Sequence, residues 1–254
     1  MEKNTGSLAQ KEHYEKIHDL YEQHYYDPTS IAFREQFIYK PLLNNIDLNN
    51  KRVADLACGS GYNSLYLKNK FPEIMTHGFD ISAKACAAYR QIVGSEAYEL
   101  DLTAATSTFN QQYDHAIVVG GIHHCIASLE NTFLNISQML KPGGSLLMCE
   151  ASSSFMLESV RKLWYKKSKY FDADSEEALQ HDQLHQSFGS DFEVKFVKYM
   201  GGPAYFLILN SLILNLPLSF KKFISKPLFF LEEIYNLLPG DFFFPYFLAE
   251  WVKK

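Results

Sequence analysis

The sequence predicts an α/β protein built on a doubly wound, mostly parallel sheet. Three observations predict it. Short apolar runs alternate with helical stretches from Lys51 to Glu150, the rhythm of strands joined by crossover helices. The first apolar run ends in small residues, Ala57-Cys58-Gly59-Ser60-Gly61, which let a backbone turn tightly and a ligand approach it. An acidic residue, Asp80, closes the second run, about twenty residues beyond the glycines, where doubly wound folds hold a ribose.

The elements follow in order. His13–Tyr25 places Tyr14, Ile17, Leu20 and Tyr21 at helical spacing. Asp27-Pro28-Thr29-Ser30 breaks that helix, and Ile31–Leu43 reads as a second one, disturbed near its end by Pro41. Residues 1–48 thus form a helical cap ahead of the sheet. Arg52–Ala57 is the first strand, followed by a helix over Tyr62–Lys70. Thr76–Asp80 is the second strand and Ala83–Val93 its helix. Ala97–Asp101 is the third strand. His115–Val119 is the fourth, continuously apolar as buried parallel strands are. Leu129–Leu140 is a helix stopped by Lys141-Pro-Gly-Gly, and Ser145–Glu150 is the fifth strand. Residues 49–151 are thus the core of the sheet.

After Glu150 the rhythm changes. Phe155–Tyr170 and Glu176–Phe188 read as helices, and Glu193–Tyr199 alternates like a strand. Two apolar helices follow, Ala204–Leu216 and Pro227–Leu238. Phe242–Val252 is a final strand, with Pro245 placing its beginning at an edge or a bulge. Residues 152–254 carry substrate-specificity helices and the last strands of the same domain.

Composition narrows the function. The net charge of −5 argues against a nucleic-acid partner, which selects a basic surplus or stripe. Cys58, Cys86, Cys125 and Cys149 form no C-x-x-C pair and read as buried thiols of a reducing compartment. No metal cluster is expected. The N-terminus has no apolar signal segment, and a cytoplasmic location is expected. The uncharged stretch Tyr199–Phe220 is interrupted by Pro203 and Pro217. The helix between them would be roughly 20 Å long, against a bilayer core of about 30 Å.

The glycine loop is the sharpest motif. A dinucleotide-binding Gly-x-Gly-x-x-Gly would fall on Ala57, Gly59 and Tyr62, and a tyrosine where close packing needs glycine argues against NAD. The observed order, Asp55-x-Ala57-x-Gly59-x-Gly61, resembles motif I of class I S-adenosylmethionine (SAM)-dependent methyltransferases. Asp80, Asp101, Gly120 and Lys141-Pro-Gly-Gly follow in that family's order. The likeness covers about residues 50–150 and extends to small-molecule and quinone-type members. Ala57 replaces a glycine, which is a mild departure if its φ stays negative.

The resemblance implies a seven-stranded sheet with the last strand antiparallel, SAM as methyl donor and S-adenosylhomocysteine as product. It implies that Asp55, Ala57, Gly59, Ser60 and Gly61 surround the methionine part of the cofactor. Asn63 caps the helix or reaches the cofactor carboxylate. Asp80 and Ile81 hold the ribose and adenine face, Asp101 and Leu102 the adenine edge, and Gly120 leaves room near the sulfonium. As bland alternatives, Asp80 or Ser82 can cap a helix and Asp114 can sit in a surface turn.

Strand four ends Gly120-Gly-Ile-His123-His124, at the carboxyl end that faces the ligand crevice. Either histidine is a candidate general base for a hydroxyl or amine acceptor; the bland alternative is that one packs against the next helix and the other bonds backbone. Tyr14, Tyr21, Tyr25, Tyr26 and Tyr205 are candidates to close over the site or to serve in ordinary packing. The apolar region after Gly202 is read as core, a subunit interface, or a lid over a small, lipid-like acceptor. Lys221, Lys222 and Lys226 among phenylalanines also suit contact with an anionic membrane.

Two competing functions stand beside this one. A SAM-binding protein without methyl transfer would share every cofactor residue. An NAD(P)-dependent oxidoreductase is suggested by Tyr165-x-x-x-Lys169 with Ser152 upstream, but the matching glycine loop is missing.

Overall fold

The computed structural model describes residues 22–105, 109–167, 177–212 and 214–254, with the backbone alone over 164–167. Among them seven strands form one sheet in the order β3-β2-β1-β4-β5-β7-β6. The strands are β1 (Arg52–Leu56), β2 (Met75–Asp80), β3 (Ala97–Glu99), β4 (Tyr113–Val119), β5 (Leu140–Ala151), β6 (Phe192–Met200) and β7 (Tyr246–Lys253). The first five pair in parallel. β7 enters antiparallel between β5 and β6.

Side chains alternate across the sheet with period two. On β4, Ile117 joins one core, while Ala116 and Val118 join the other. The first core is covered by the segment before β1. That segment contains α1 (Pro28–Arg34), a π turn (Glu35–Tyr39) and the short α2 (Lys40–Leu42). Phe33 and Leu42 there are fully buried, so this cap is part of the core of one face. Asp27 and Pro28 start α1: the Asp27 carboxylate accepts from the Thr29 N–H, and Pro28 occupies the first turn. Thr29 and Ser30 therefore belong to the helix that the sequence reading began at Ile31. Pro41 has no N–H and crowds the carbonyl four residues back. The chain widens ahead of it, Lys40 N–H bonding Glu35 O five residues back.

Between the strands run α3 (Tyr62–Lys70), α4 (Ala83–Val93) and α5 (Leu129–Met139). α5 lays Phe133, Ile136 and Met139 on the second core.

The region after β5 departs from expectation. α6 spans Glu158–Lys167, starting three residues later than predicted, with its expected end at Tyr170 outside the described residues, and α7 His181–Phe188 is shorter than predicted. Ala204–Leu216 is not one helix; its regular part is a π turn over Tyr205–Leu209. α8 spans Leu218–Tyr235, so Pro227 lies inside it rather than at its start. β7 begins at Tyr246, and Pro245 is neither an edge nor a bulge of that strand. It sits just ahead of it, its carbonyl accepting from Ser152 N–H and Arg161 Nη1. Asp114 lies on β4 rather than in a turn, taking the Arg52 N–H and a Lys141 ammonium at 2.7 Å. No helix among the described residues is long and apolar enough to cross a membrane.

Candidate active site

β1, β2, β4 and β5 deliver Ala57, Asp80, Gly120 and Glu150 to the same end of the sheet. There the β1 loop turns sharply: Gly61 N–H bonds Cys58 O at 2.9 Å, and Cys58 N–H bonds Phe79 O on β2. Gly59 and Gly61 have φ of 52° and 91°, values that favour glycine. A Cβ on Gly61 would lie 2.4 Å from Val93 and 2.6 Å from Tyr89, so this glycine also lets α4 press against the loop. Ala57 has φ 48°. The expectation of a negative φ there is overturned: alanine takes the left-handed conformation in which the family pattern has glycine.

Asp80 ties the loop to the second strand. Its Oδ2 accepts from Gly59 N–H and its Oδ1 from Ser82 N–H, both at 2.9 Å. Each carboxylate oxygen can accept a second hydrogen bond. Ser82, not Asp80, caps α4 through the Ala85 N–H. Asp101 Oδ1 holds Thr103 N–H and hydroxyl. Leu102 is buried in the second core and Ile81 is half-buried.

Asp55 lies beneath this surface and is fully buried. Its oxygens accept from Asn63 Nδ2 and from Ser64 N–H and hydroxyl, at 2.7–3.1 Å. It therefore anchors the first turn of α3, whose N-cap Gly61 has no side chain to offer. Burial outweighs these bonds and raises the Asp55 carboxyl to about 7. Asn63 is engaged on both sides, its Oδ1 taking the Tyr39 hydroxyl at 2.7 Å. Burial holds that phenol up at about 12, so it stays a donor. Ser60 is buried in the loop.

Of the tyrosines predicted to approach the site, Tyr26 does: it stacks on Tyr62 at 4.1 Å and 9°, beside the glycine loop. The Arg34 guanidinium lies over its ring at 4.7 Å. Tyr25 is instead a core residue bonded to Asn210. Tyr205 packs on Tyr246 with ring centres 5.1 Å apart. Tyr14 and Tyr21 lie outside the described residues, as does the side-chain pair Tyr165 and Lys169.

The end of β4 carries the two candidate bases. Gly120 is left-handed at φ 71°, and a Cβ there would meet only His123 Cε1, at 3.7 Å. Gly121 was not singled out from sequence, yet a Cβ on it would come within 2.6 Å of the Ala57 Cβ. His123 Nδ1 lies 2.8 Å from Glu150 Oε2. Glu150 is buried, and its Oε1 accepts from Gly121 and Ile122 N–H at 2.9 and 2.8 Å. An anchored carboxylate at Nδ1 selects the Nδ1–H tautomer and leaves the lone pair on Nε2. His124 lies against His123 with ring centres 4.0 Å apart. Glu150, the partner of His123, was passed over by sequence reasoning. Its signal was a lone carboxylate ending an otherwise apolar strand.

The arrangement fits an adenosyl cofactor in three observable respects: a tight glycine turn, a carboxylate closing β2, and open space over Gly120. Among the described residues no group of three or more His, Cys, Asp or Glu could hold a metal ion.

Comparison with known proteins bears on the same region. Residues 54–146 match a family model described as a methyltransferase domain. A highly reducing polyketide synthase from Alternaria alternata is 24% identical over 106 residues, which is 40% of this chain. The match spans only 4% of that synthase's length. A SAM-dependent methyltransferase from Thermotoga maritima, described as a possible histamine N-methyltransferase, superposes with a TM-score of 0.64 at 16% identity. The superposition covers 96% of this chain and 99% of the other. A protein from Pyrococcus horikoshii OT3 gives 0.60 at 14% identity, covering 94% and 99%. The O-MT segment of StiE gives 0.52 at 19%, covering 89% and 75%.

Proposed function

We propose that this chain, a class I Rossmann-like SAM-dependent methyltransferase, methylates a hydroxyl group on a small, apolar acceptor. The observation that carries the reading is the His123–Glu150 pair at the carboxyl ends of β4 and β5. When bound, SAM would supply a methyl group already activated on a sulfonium. The chain's own tasks are then to position both partners and to take a proton. Asp80 is the carboxylate placed at the end of β2 to take the ribose hydroxyls, and the loop at Gly59–Gly61 lets the backbone come close. Gly120 leaves space beside His123. His123 Nε2 accepts the acceptor's proton, and Glu150 holds the ring and stabilises the imidazolium that forms. A hydroxyl is favoured because it must lose a proton to attack well, whereas a neutral amine attacks through a lone pair it already has.

The test begins with calorimetric titration of SAM, S-adenosylhomocysteine and NADH into the protein and into Asp80→Ala. Both adenosyl ligands should bind, and the variant should lose on the order of tenfold or more in affinity, as expected for a missing charge-assisted hydrogen bond. Methyl-labelled SAM incubated with a cell extract should then label an apolar product. Absence of adenosyl binding, or preference for NADH, would refute the cofactor assignment. Binding without transfer of label to any hydroxyl would refute the reaction.

A further inference from the structure

α8 is turned inside out. Its buried side chains are Lys221, Leu228 and Glu232. Lys221 reaches Asp27, the Ser30 hydroxyl and the His24 carbonyl, and Glu232 takes the N–H groups of Gly202 and Ala204. The opposite side is apolar: Phe223 is 82% exposed and Phe230 63%. Phe223, Pro227, Phe230 and Ile234 follow at steps of four, three and four, one stripe of a helix. Phe220 and Leu231 widen it. Lys222 and Lys226, both exposed, run along its edge.

α6 continues this surface. Leu157, just before it, and its Val160 and Leu163 are exposed. Met156 N–H bonds Phe242 O at 2.8 Å, and Tyr235 at the end of α8 bonds Phe243 O at 2.9 Å. The start of α6 and the end of α8 therefore meet at Phe242, itself 56% exposed. Among the described side chains, the exposed cations of this surface are Lys162 on α6 and Lys222 and Lys226 on α8, with Glu233 the exposed acidic residue of α8, in a chain of net −5.

We propose that the α6–α8 face docks on an anionic membrane surface. Its phenylalanines enter the boundary of the acyl region and its lysines lie among the head groups. The charge decides against a second copy of the chain, because a two-fold contact would set Lys222 and Lys226 against the same basic patch. The face also adjoins the candidate active site. β5 leads from Glu150 into α6, and Glu177 N–H, beyond α6, bonds His123 O at 3.3 Å. An acceptor dissolved in the bilayer would reach His123 from this side. That last step rests on the methyl-transfer reading; the docking does not.

Co-sedimentation with vesicles of phosphatidylcholine, alone or mixed with phosphatidylserine, tests the docking. The protein should pellet with the mixed vesicles at least about tenfold more than with neutral ones, less so at high salt. Each lysine near such a surface contributes about fivefold. Lys222→Ala with Lys226→Ala should therefore lower binding roughly twenty-five-fold. Phe223→Ser with Phe230→Ser should abolish it while leaving SAM titration and circular dichroism unchanged. Equal retention on both vesicle types, or none, would overturn the proposal. So would a concentration-dependent dimer in sedimentation velocity that the serine pair dissolves in a protein that ignores vesicles.

Discussion

Ala57 and Glu150 show what single side chains contribute. Ala57 holds φ 48° at the tightest point of the loop, a conformation that costs a Cβ-bearing residue about 1–2 kcal/mol. Ala57→Gly should relieve that strain, less the extra freedom glycine has when unfolded. The expected gain is about 1 kcal/mol, read as a melting temperature roughly 2–4 °C higher; an unchanged or lower value would show that the alanine methyl packs too well to lose. Glu150→Gln keeps the shape of the pair but removes the charge that orients His123. Turnover should fall by roughly 10²- to 10⁴-fold with little change in KM. The acid limb of the rate profile should move to lower pH, because a neutral partner no longer favours the imidazolium. A purely structural role for Glu150 would leave that limb in place. Asp80 and the glycines were legible in sequence because their chemistry and their spacing lie within one strand–loop–strand unit. The bond between His123 and Glu150 was not, because it depends on β4 pairing with β5 across an intervening helix. Asp55 was read as a cofactor neighbour and lies one layer deeper, since spacing alone does not say which way a strand residue faces.

At the scale of elements, the strands were legible and the helices after Glu150 were not. A buried parallel strand is a short apolar run with turn residues at its ends, and β1, β4 and β5 have that form. α8 defeats such a reading because it buries Lys221 and Glu232 while Phe223 and Phe230 face outward, against the pattern that periodicity assumes. The Glu232 carboxyl, buried against Gly202 and Ala204, has its titration pushed up to about 7 by desolvation. The unfolded chain releases this proton near 4.5. The folded protein therefore holds the extra proton between those values, and stability falls as pH rises through the window. The contribution is complete below about pH 4.5 and lost by about pH 7, on the order of 3 kcal/mol at most. Asp55 shifts in the same direction, while His115, lowered to about 4 by burial, works in the opposite one, so the Glu232 share is read as a difference between two proteins. Urea unfolding of wild type and Glu232→Gln should show the variant losing less stability between about pH 4.5 and 7; parallel profiles would contradict the assignment.

Across the whole molecule, the cap before β1 and the helices after β6 behave as one body. Lys221 on α8 grips Asp27 and Ser30 at the start of α1, and Tyr246 on β7 bonds Phe37 O at 3.0 Å. The cap, the cofactor core and the substrate segment all contribute to the first core. Sequence reading sees neighbours along the chain, whereas this union is made by residues nearly two hundred positions apart.

The place of β7 has a further consequence for how the protein comes into being. β6 touches the sheet only through β7, yet a ribosome delivers β6 first. Until β7 arrives, β5 is left with an open edge and β6 has no partner in the sheet. Synthesis thus passes through a stage in which the cofactor-binding half can assemble while its last two strands wait, a period when unpaired edges invite misassembly. The strand that completes the sheet also sets when the chain is safe from its neighbours.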